Sequence, residues 1–405
     1  MRWLLFAVAF GLAPLAHAED WPTFLGSHRD SSCTLEIQPW KDALKPLWTA
    51  AVGEGHSSPI VQDGVVYLFF KLAKKEEEAL AAYDLKSGAQ KWVKSYPREK
   101  FTNPFGNGPR GTPTVDGGFV YTYGCTGLLT AFAVKDGAIA WQLDTLKEFK
   151  LKNLFFGVST SVTVVADNVI VMAGGKGTGI VAIHKLTGKV AWTATDDRPS
   201  YASPILSTGK DPVLVFLTGD TVRALRPADG KEVWAYPFVD GLMESSTSPV
   251  QVGELFVAGS IKNGCVALKP GVGTPTAVWR NPKLTCYFST PVAVSSDLYM
   301  INGEAKFPGG TITLRCVDSA TGEVRWEKPN MGSYHAAILQ TKNNLLLVQD
   351  DKGDLSLIQP DAKEYRELAR CKVCGFTWAH PAVVDGKYLI RDNGKLYCYD
   401  LPATR

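Results

Sequence analysis

The chain has 405 residues, a formal net charge of +3 and 20% charged residues, whereas 45% of its residues are hydrophobic. A net charge so close to zero argues against a nucleic-acid-binding surface, which needs a concentrated basic face. After residue 15 no apolar stretch approaches the roughly 20 residues that a membrane-spanning helix requires, so the sequence predicts no transmembrane anchor.

The chain begins with the pattern of a secretory signal peptide. Arg2 is followed by an apolar run over residues 3–15 and by the small-residue site Ala16-His17-Ala18, which is the order of the charged, apolar and cleavage regions in such peptides. We therefore predict a signal peptide over residues 1–18 and a single domain over residues 19–405. A protein exported in this way is expected in the periplasm or outside the cell.

A tryptophan recurs through most of the chain at the end of similar phrases, such as AAYDLKSGAQKW and VAIHKLTGKVAW. Each phrase is typical of a strand, a turn that contains Gly, and a second strand, because Gly supplies the positive φ that a tight hairpin turn needs. A period of about 40–50 residues built from such hairpins is typical of a β-propeller blade. Seven tryptophans follow this pattern at intervals of 42 to 51 residues: Trp48, Trp92, Trp141, Trp192, Trp234, Trp279 and Trp326.

A second hairpin precedes each of these phrases and usually opens on a small residue, any residue and Pro. Ser161 takes the Pro position in the third unit and Ala337 takes it in the seventh. Two hairpins per period predict an all-β fold, an eight-bladed β-propeller with four-stranded antiparallel blades. The last unit lacks its fourth strand, and we expect the N-terminal strand around Trp48 to pair with residues 396–401, because this pairing closes the ring and removes open sheet edges.

In a propeller the blades are scaffold, so a binding site is expected on the rim or in the axial channel. The residue three positions before each Pro position is expected at the channel mouth, a rule that also gives Val158, Ser246 and Phe288. Two interpretations remain open: these side chains fill the channel, or they form a pocket for a peptide or for a small anionic or planar ligand. The predicted ligand or partner-binding residues are His56, Arg110, Tyr201, Tyr334, His335, Trp378 and His380.

Two loops that lead into inner strands are unusually long, over residues 95–111 and 144–159. The second loop carries apolar residues, from Phe149 to Phe156, among lysines. Exposed apolar residues of this kind often mark a contact surface, and packing back onto the propeller is the alternative.

The sequence carries no recognisable catalytic or metal-binding motif, and we assign no catalytic and no metal-ligating residue. The eight cysteines permit disulfides, but the sequence does not reveal their connectivity. For the close pair Cys371 and Cys374 three interpretations remain open: a structural disulfide or buried thiols, a redox-labile pair, and a metal site.

These features resemble those of the quinoprotein-like β-propellers, a family with pyrroloquinoline-quinone-type repeats. The resemblance rests on the phrase A-x-D-x-x-T/S-G-x-x-x-W and on the segment DWPTFLGSHRD, residues 20–30, which is similar to the start of exported bacterial members. The nearest subgroup is similar to BamB, the scaffold subunit of the outer-membrane β-barrel assembly machinery. In that family the repeated Trp docks each blade onto its neighbour. The resemblance therefore implies a structural role for Trp92, Trp141, Trp192, Trp234, Trp279 and Trp326.

The expected function is a non-enzymatic scaffold of the cell envelope, a monomer without a cofactor that binds an envelope protein, a peptide or a small ligand. The alternative is a periplasmic alcohol dehydrogenase-like oxidoreductase that uses pyrroloquinoline quinone and calcium. Enzymes of that kind in the family are longer and usually carry two adjacent cysteines, which this sequence lacks. A hydrolase or lyase that uses the ring of His and Arg residues is a third option.

Overall fold

The computed structural model describes residues 20–271, 273–304 and 309–404, so the predicted signal peptide lies outside the described residues. The described part consists of β-strands, short connections and one short helix. Two strands precede the first blade, β1 (Glu36–Ile37) and β2 (Pro46–Ala51). Among these residues, no helix combines the length and the apolar character needed to cross a membrane.

Eight four-stranded antiparallel sheets form the blades of a propeller, which confirms the predicted fold. In the first seven blades the four strands follow one another in chain order. The strands of blades one to four are β3 (Ile60–Gln62), β4 (Val65–Lys71), β5 (Glu77–Asp84), β6 (Gln90–Pro97); β7 (Thr114–Asp116), β8 (Phe119–Tyr123), β9 (Leu128–Ala133), β10 (Ile139–Asp144); β11 (Thr163–Val165), β12 (Asn168–Met172), β13 (Ile180–His184), β14 (Val190–Ala194); β15 (Ile205–Leu206), β16 (Leu214–Leu217), β17 (Thr221–Leu225) and β18 (Glu232–Pro237).

The remaining strands continue the same order to the C-terminal end of the described chain. They are β19 (Val250–Val252), β20 (Leu255–Ser260), β21 (Gly264–Lys269), β22 (Thr276–Asn281); β23 (Val292–Val294), β24 (Asp297–Asn302), β25 (Thr313–Asp318), β26 (Val324–Lys328); β27 (Ala336–Gln340), β28 (Leu346–Asp350), β29 (Asp354–Gln359), β30 (Arg366–Lys372); β31 (Ala382–Val384), β32 (Lys387–Arg391), β33 (Lys395–Asp400) and β34 (Ala403–Thr404).

Blade eight is completed by the N-terminal part of the chain, as the sequence predicts. Its sheet order is β2-β33-β32-β31, and Trp48 lies opposite Cys398 in the register of β2 and β33. A second, two-stranded pairing joins β1 to β34, with Ile37 opposite Ala403. The two ends of the described chain are therefore joined twice, and β2 gives blade eight four strands like the other blades.

The hydrophobic core lies between the blades rather than within one layer. One apolar cluster joins blades one and two, another joins blades two and three, and a third joins blades six and seven. The middle strands are consequently buried on both faces, as in β5, whereas the outermost strands alternate exposed and half-buried residues, as in β14. This explains why the middle strands read as continuous apolar runs in the sequence.

One end of the axial channel is covered by the segment 20–33, which we call the floor segment. Trp21 forms an antiparallel bridge with Val61 of blade one, and Ser32 forms a parallel bridge with Gln340 of blade seven. Between them the guanidinium of Arg29 donates to the carbonyl oxygens of Pro204 and Val162. The floor segment thus contacts blades one, three, four and seven across the axis.

The structure corrects one detail of the repeat. In the blades that contain the Pro, the inner strand begins one residue after it, as Ile60 follows Pro59. In blade three the inner strand begins at Thr163, so Val162 rather than Ser161 takes the Pro position. The loop before blade three also holds the one helix of the described chain, α1 (Thr145–Glu148), which is capped by Asp144.

Candidate functional site

The channel contains an axial pocket of about 130 Å³. The floor segment closes it on one side with Phe24, whose ring packs edge-on against His380 with 5.6 Å between centroids. The segments that lead into the inner strands supply most of the wall. Because these segments are extended, alternate side chains point to the axis, and they form two rings around the pocket.

The ring nearer the strands consists of small hydroxyl residues and one histidine, each directly before the Pro position. Their hydroxyls tie neighbouring blades together: the backbone N–H of Ser58 donates to Thr112 Oγ1, that of Thr112 to Ser161 Oγ, and that of His380 to Ser58 Oγ. The sequence analysis missed this ring, although Ser or Thr directly before Pro in five repeats is the signal that could have found it. The pocket-lining members are Ser58, Thr112, Ser161, Ser203, Thr290 and His380.

The second ring lies three residues before the Pro position and contains larger side chains. It includes four of the seven predicted binding residues, and the corrected alignment of blade three replaces Val158 with Ser159. Its pocket-lining members are His56, Arg110, Ser159, Tyr201, Ser246, Phe288 and Trp378.

Of the other predicted residues, His335 and His380 also line the pocket, whereas Tyr334 lies at its edge. The Tyr334 ring meets Trp378 edge-on, with 6.3 Å between centroids, and its hydroxyl accepts a hydrogen bond from the backbone N–H of Gly309. Tyr334 therefore supports Trp378 from outside rather than facing the axis.

Arg110 is the charged group of the pocket wall. Its guanidinium lies 5.9 Å from the ring centres of Phe101 and Phe156, and it donates to the carbonyl oxygen of Gly106 at 3.0 Å. Burial lowers the pKa of Arg110 from its usual value, yet a guanidinium remains charged at neutral pH. Among the described residues that line the pocket there is no Asp or Glu. The nearest carboxylate acting on the guanidinium is that of Glu54, which lies outside the lining.

Three histidines in the wall are held neutral by burial. Burial lowers the pKa of His380 and of His56 to about 3, with Arg110 adding to the effect on His56, and it also lowers the pKa of His335. His335 Nδ1 lies 2.5 Å from the carbonyl oxygen of Phe288, which makes Nδ1 the protonated nitrogen. Within the described structure His335 Nε2, both ring nitrogens of His380 and Trp378 Nε1 have no hydrogen-bond partner. Buried polar atoms normally have one, so these atoms are available to a bound group.

Aromatic rings surround the mouth of the pocket. Trp378 stacks on Phe288 at 5.9 Å and lies 5.0 Å from His56, while Phe156 meets Phe288 edge-on at 5.9 Å. Phe156 comes from the long apolar loop and is buried, whereas the adjacent Phe155 is 63% exposed. Part of the loop therefore packs back onto the propeller, whereas Phe155 remains exposed.

The repeated tryptophans lie far from this pocket, between the outer parts of neighbouring blades. Trp92 Nε1 donates to the carbonyl oxygen of Val134 in the next blade, and Trp192 Nε1 donates to that of Pro227. Trp141 and Trp279 make the same contact with Lys185 and Ser319. Trp326 Nε1 donates to the carbonyl oxygen of Asp361.

Most of these tryptophans also cover the turn glycine of the next blade. A Cβ atom added to Gly137 would lie 2.6 Å from the Trp92 ring, and one added to Gly230 would lie 2.5 Å from the Trp192 ring. Both glycines have positive φ, 71° and 69°. Trp234 packs on Phe256 of blade five, with 5.6 Å between centroids. The Gly of the repeat thus has two roles: it adopts the positive φ of the turn, and its lack of a side chain leaves space for the Trp ring.

The donor set of the pocket does not fit the calcium-bound quinone that the fold family implies. Calcium takes oxygen ligands, chiefly from carboxylates and carbonyl groups. The described wall offers hydroxyls, imidazoles and aromatic rings, together with the positive charge of Arg110, which repels a cation. The described residues also contain no group of three His, Cys, Asp or Glu that could hold a metal ion. Cys371 and Cys374 are free thiols in the structure.

These features define an eight-bladed propeller with a polar and aromatic axial pocket, and the comparisons with known proteins agree with that class. Residues 98–285 match the sequence profile of the family described as outer membrane protein assembly factor BamB. BamB of Yersinia pestis is 22% identical over 253 residues, which are 59% of this chain and 61% of that protein. The match thus spans about three fifths of the relative's length.

Solved structures match over most of the chain. BamB from Moraxella catarrhalis has a TM-score of 0.63 at 15% identity, with 90% of this chain and 99% of that chain covered. Quinohemoprotein alcohol dehydrogenase from Comamonas testosteroni has a TM-score of 0.67 at 13% identity, covering 95% and 81% of the two chains. A europium-containing methanol dehydrogenase gives 0.66 at 14% identity, covering 95% and 98%. At such identities the likeness shows the fold. The sequence matches add that residues 98–285 are similar to the BamB profile.

Proposed function

We propose that the protein is an exported, non-enzymatic scaffold of the cell envelope that holds an anionic group of its partner at the mouth of the axial pocket. The observation that carries this proposal is Arg110, a half-buried cation of the pocket wall, with no Asp or Glu among the described lining residues. A guanidinium binds a carboxylate through two parallel hydrogen bonds while its plane stacks on aromatic rings, and Phe101 and Phe156 already flank it.

The neutral histidines favour the same class of ligand. The N–H groups of His380 and Trp378 have no partner in the described structure, and each can donate to an anionic oxygen at low cost because no existing hydrogen bond has to break. The rings of Phe288 and Trp378 offer apolar faces next to these donors. This combination suits a carboxylate carried close to an aromatic or apolar side chain.

The proposed location and partner rest on similarity. The relative from Yersinia pestis is named as an outer membrane protein assembly factor. The first 18 residues have the pattern of an export signal. We therefore propose a periplasmic monomer whose partner is an envelope protein or peptide that presents an acidic group. A free carboxylate ligand is the small-molecule counterpart of the same chemistry.

The test compares a short N-acetylated peptide of alternating Phe and Asp with the same peptide carrying Asn in place of Asp, each titrated by calorimetry. We expect the acidic peptide to bind at least about tenfold more tightly, because a charge-assisted hydrogen bond contributes about 1.5–3 kcal/mol. Arg110→Met should remove the difference while keeping the apolar stem.

Arg280→Met is the matched control, since Arg280 also stacks on an aromatic ring, that of Tyr236 at 5.2 Å, but lies on the surface away from the pocket. This variant should bind both peptides as the natural protein does. Equal affinity of the acidic and amide peptides, or an Arg110→Met variant that still prefers the acidic one, would contradict the proposal.

A quinone-dependent oxidoreductase is the second candidate, because two solved structures with this fold are named as alcohol and methanol dehydrogenases. The described pocket wall argues against this function, because it lacks the carboxylates that would bind calcium. Equilibration with pyrroloquinoline quinone and calcium, followed by gel filtration, distinguishes the two. If the protein retains a quinone absorption band and reduces a dye in the presence of alcohol, the oxidoreductase proposal replaces the scaffold proposal.

A further inference from the structure

Two buried cysteines from different parts of the chain meet between blade five and the segment that leads into blade six. Cys265 lies on β21 of blade five, and Cys286 lies in the segment that leads into blade six. Their Sγ atoms are 3.5 Å apart, and the two residues are 1% and 2% exposed. They are 21 positions apart in sequence, and the repeat pattern gives no reason for their meeting.

The surroundings leave room for both sulfurs. Gly259 lies opposite Cys265 in the pairing of β20 and β21, and a Cβ atom at this position would be 2.4 Å from Cys265 Sγ and 3.3 Å from Cys286 Sγ. The thiol of Cys265 donates to the carbonyl oxygen of Leu284 at 2.9 Å, so the backbone just before Cys286 already lies against it. A disulfide requires the two sulfurs to approach from 3.5 Å to roughly 2.05 Å.

We propose that Cys265 and Cys286 are an oxidisable pair whose disulfide fastens the segment 284–288 to blade five. This segment carries Phe288 into the axial pocket. Phe288 has a φ of 51°, a conformation that costs free energy for a side chain of this size, and its carbonyl oxygen faces His335 Nδ1. A covalent link two residues away holds this strained residue in place, whatever the pocket binds.

The reaction is thiol–disulfide exchange with a low-molecular-weight disulfide such as oxidised glutathione. The thiolate of one cysteine attacks the glutathione disulfide, and one reduced glutathione leaves with its electron pair and takes up a proton. The second cysteine then attacks the mixed disulfide and releases the second reduced glutathione. In total two S–H bonds of the protein are replaced by one S–S bond, and the two electrons and two protons leave on glutathione.

Access to the pair in the folded protein is restricted. A surface cleft of about 200 Å³ that includes Phe238, Asn263 and Arg280 reaches Cys265. The hydrogen bond with Cys265, together with burial, raises the pKa of the Cys286 thiol well above its usual value. We therefore expect rapid oxidation while the chain folds and slow oxidation afterwards.

The experiment refolds the full chain in glutathione buffers from fully reduced to fully oxidised, blocks the remaining thiols, and maps the tryptic peptides without reduction. We expect the peptides that contain Cys265 and Cys286 to be joined under oxidising conditions. Reduction with dithiothreitol should then lower the thermal midpoint by a few degrees and increase amide hydrogen exchange over residues 284–288.

Cys265→Ala and Cys286→Ala should each lose this dependence on reduction, whereas Cys316→Ala, which removes another buried thiol, should keep it. The mapping of the natural chain does not depend on whether a variant folds. The proposal is overturned if the two peptides stay separate under every condition, if either cysteine is joined to a different one, or if Cys265→Ala responds to reduction as the natural chain does.

Discussion

The periphery of the ring and its axis use aromatic residues in opposite ways. At the periphery Trp92 and Trp192 each donate their indole N–H to a carbonyl oxygen of the next blade and cover its turn glycine. At the axis Trp378 and His380 carry ring nitrogens without a partner in the described structure. Satisfied contacts repeated from blade to blade hold a fold together, whereas convergent groups left unsatisfied are available to bind.

The floor segment belongs to both regions. It reaches blade seven through Ser32 and blade three, on the opposite side of the axis, through Arg29, and it also places Phe24 in the pocket. The same short stretch therefore closes one end of the channel and gives the pocket its depth. Changes to the peripheral contacts should chiefly alter stability, and changes at the axis should chiefly alter binding.

The largest effect is expected from opening the ring. Deletion of residues 20–52 removes β2 and leaves β33 as the unpaired edge of blade eight. An exposed edge pairs with other chains, so light scattering after gel filtration should show aggregation. Deletion of residues 20–30 alone is the control, since it keeps β1 and β2 and should remain monomeric. A soluble, monomeric protein of unchanged thermal stability after the longer deletion would contradict the role of β2.

The second effect tests a peripheral contact. Trp192→Ala removes a ring packed between blades three and four together with its hydrogen bond to the carbonyl oxygen of Pro227. We expect a loss of about 3–5 kcal/mol in the free energy of unfolding, measured by denaturant titration. Val190→Ala, on the same strand and 41% exposed, should change it by less than about 1 kcal/mol. A similarly small change for Trp192→Ala would show that the ring does not dock the blades.

The third effect concerns the neutral histidines at the axis. In the unfolded chain a histidine has a pKa near 6.5, whereas burial lowers the pKa of His56 and His380 to about 3. As the pH falls below 6.5 the unfolded chain takes up protons first, so stability is complete above pH 6.5 and is lost as the pH falls towards 3. Each histidine contributes a slope of up to about 1.4 kcal/mol per pH unit.

Denaturant midpoints measured between pH 7.5 and pH 4.5 check this pH dependence. His380→Phe should flatten it, whereas replacement of His184, which is half-buried on blade three, should not. A curve for His380→Phe that coincides with that of the natural chain would mean that folding does not lower the pKa of His380.

The smallest expected effect on stability is that of a substitution at the axis, and it distinguishes the axis from the periphery most directly. At neutral pH His380→Phe replaces a buried ring whose nitrogens have no partner in the described structure by an apolar ring of similar shape. We expect a change of less than about 1 kcal/mol in the free energy of unfolding, or a slight gain, because no hydrogen bond is lost. A loss as large as that of Trp192→Ala would show that His380 is structural and that the axis is packed like the periphery.

The sequence was sufficient to predict the ring of blades, because each repeated residue acts within one blade or between neighbouring blades. The turn glycine, the Trp at the end of each phrase and the Pro before each inner strand act within one unit or between neighbouring units, so a period of 42 to 51 residues reveals the blade, the number of blades and the closure by β2. The same periodicity placed six of the seven predicted binding residues in the wall of the pocket. Tyr334 missed the wall and packs beside Trp378 from outside.

Tertiary structure decided what the periodicity does not encode. Phe24 reaches the pocket because the floor segment crosses the axis, and Phe156 reaches it because one long loop folds inwards. The meeting of Cys265 and Cys286 depends on the path of the chain between blades five and six and on the space beside Gly259. These contacts join residues that occupy no equivalent place in the repeat, so no spacing in the sequence announces them. Only the closed ring, in which segments from different blades approach one axis, brings them together.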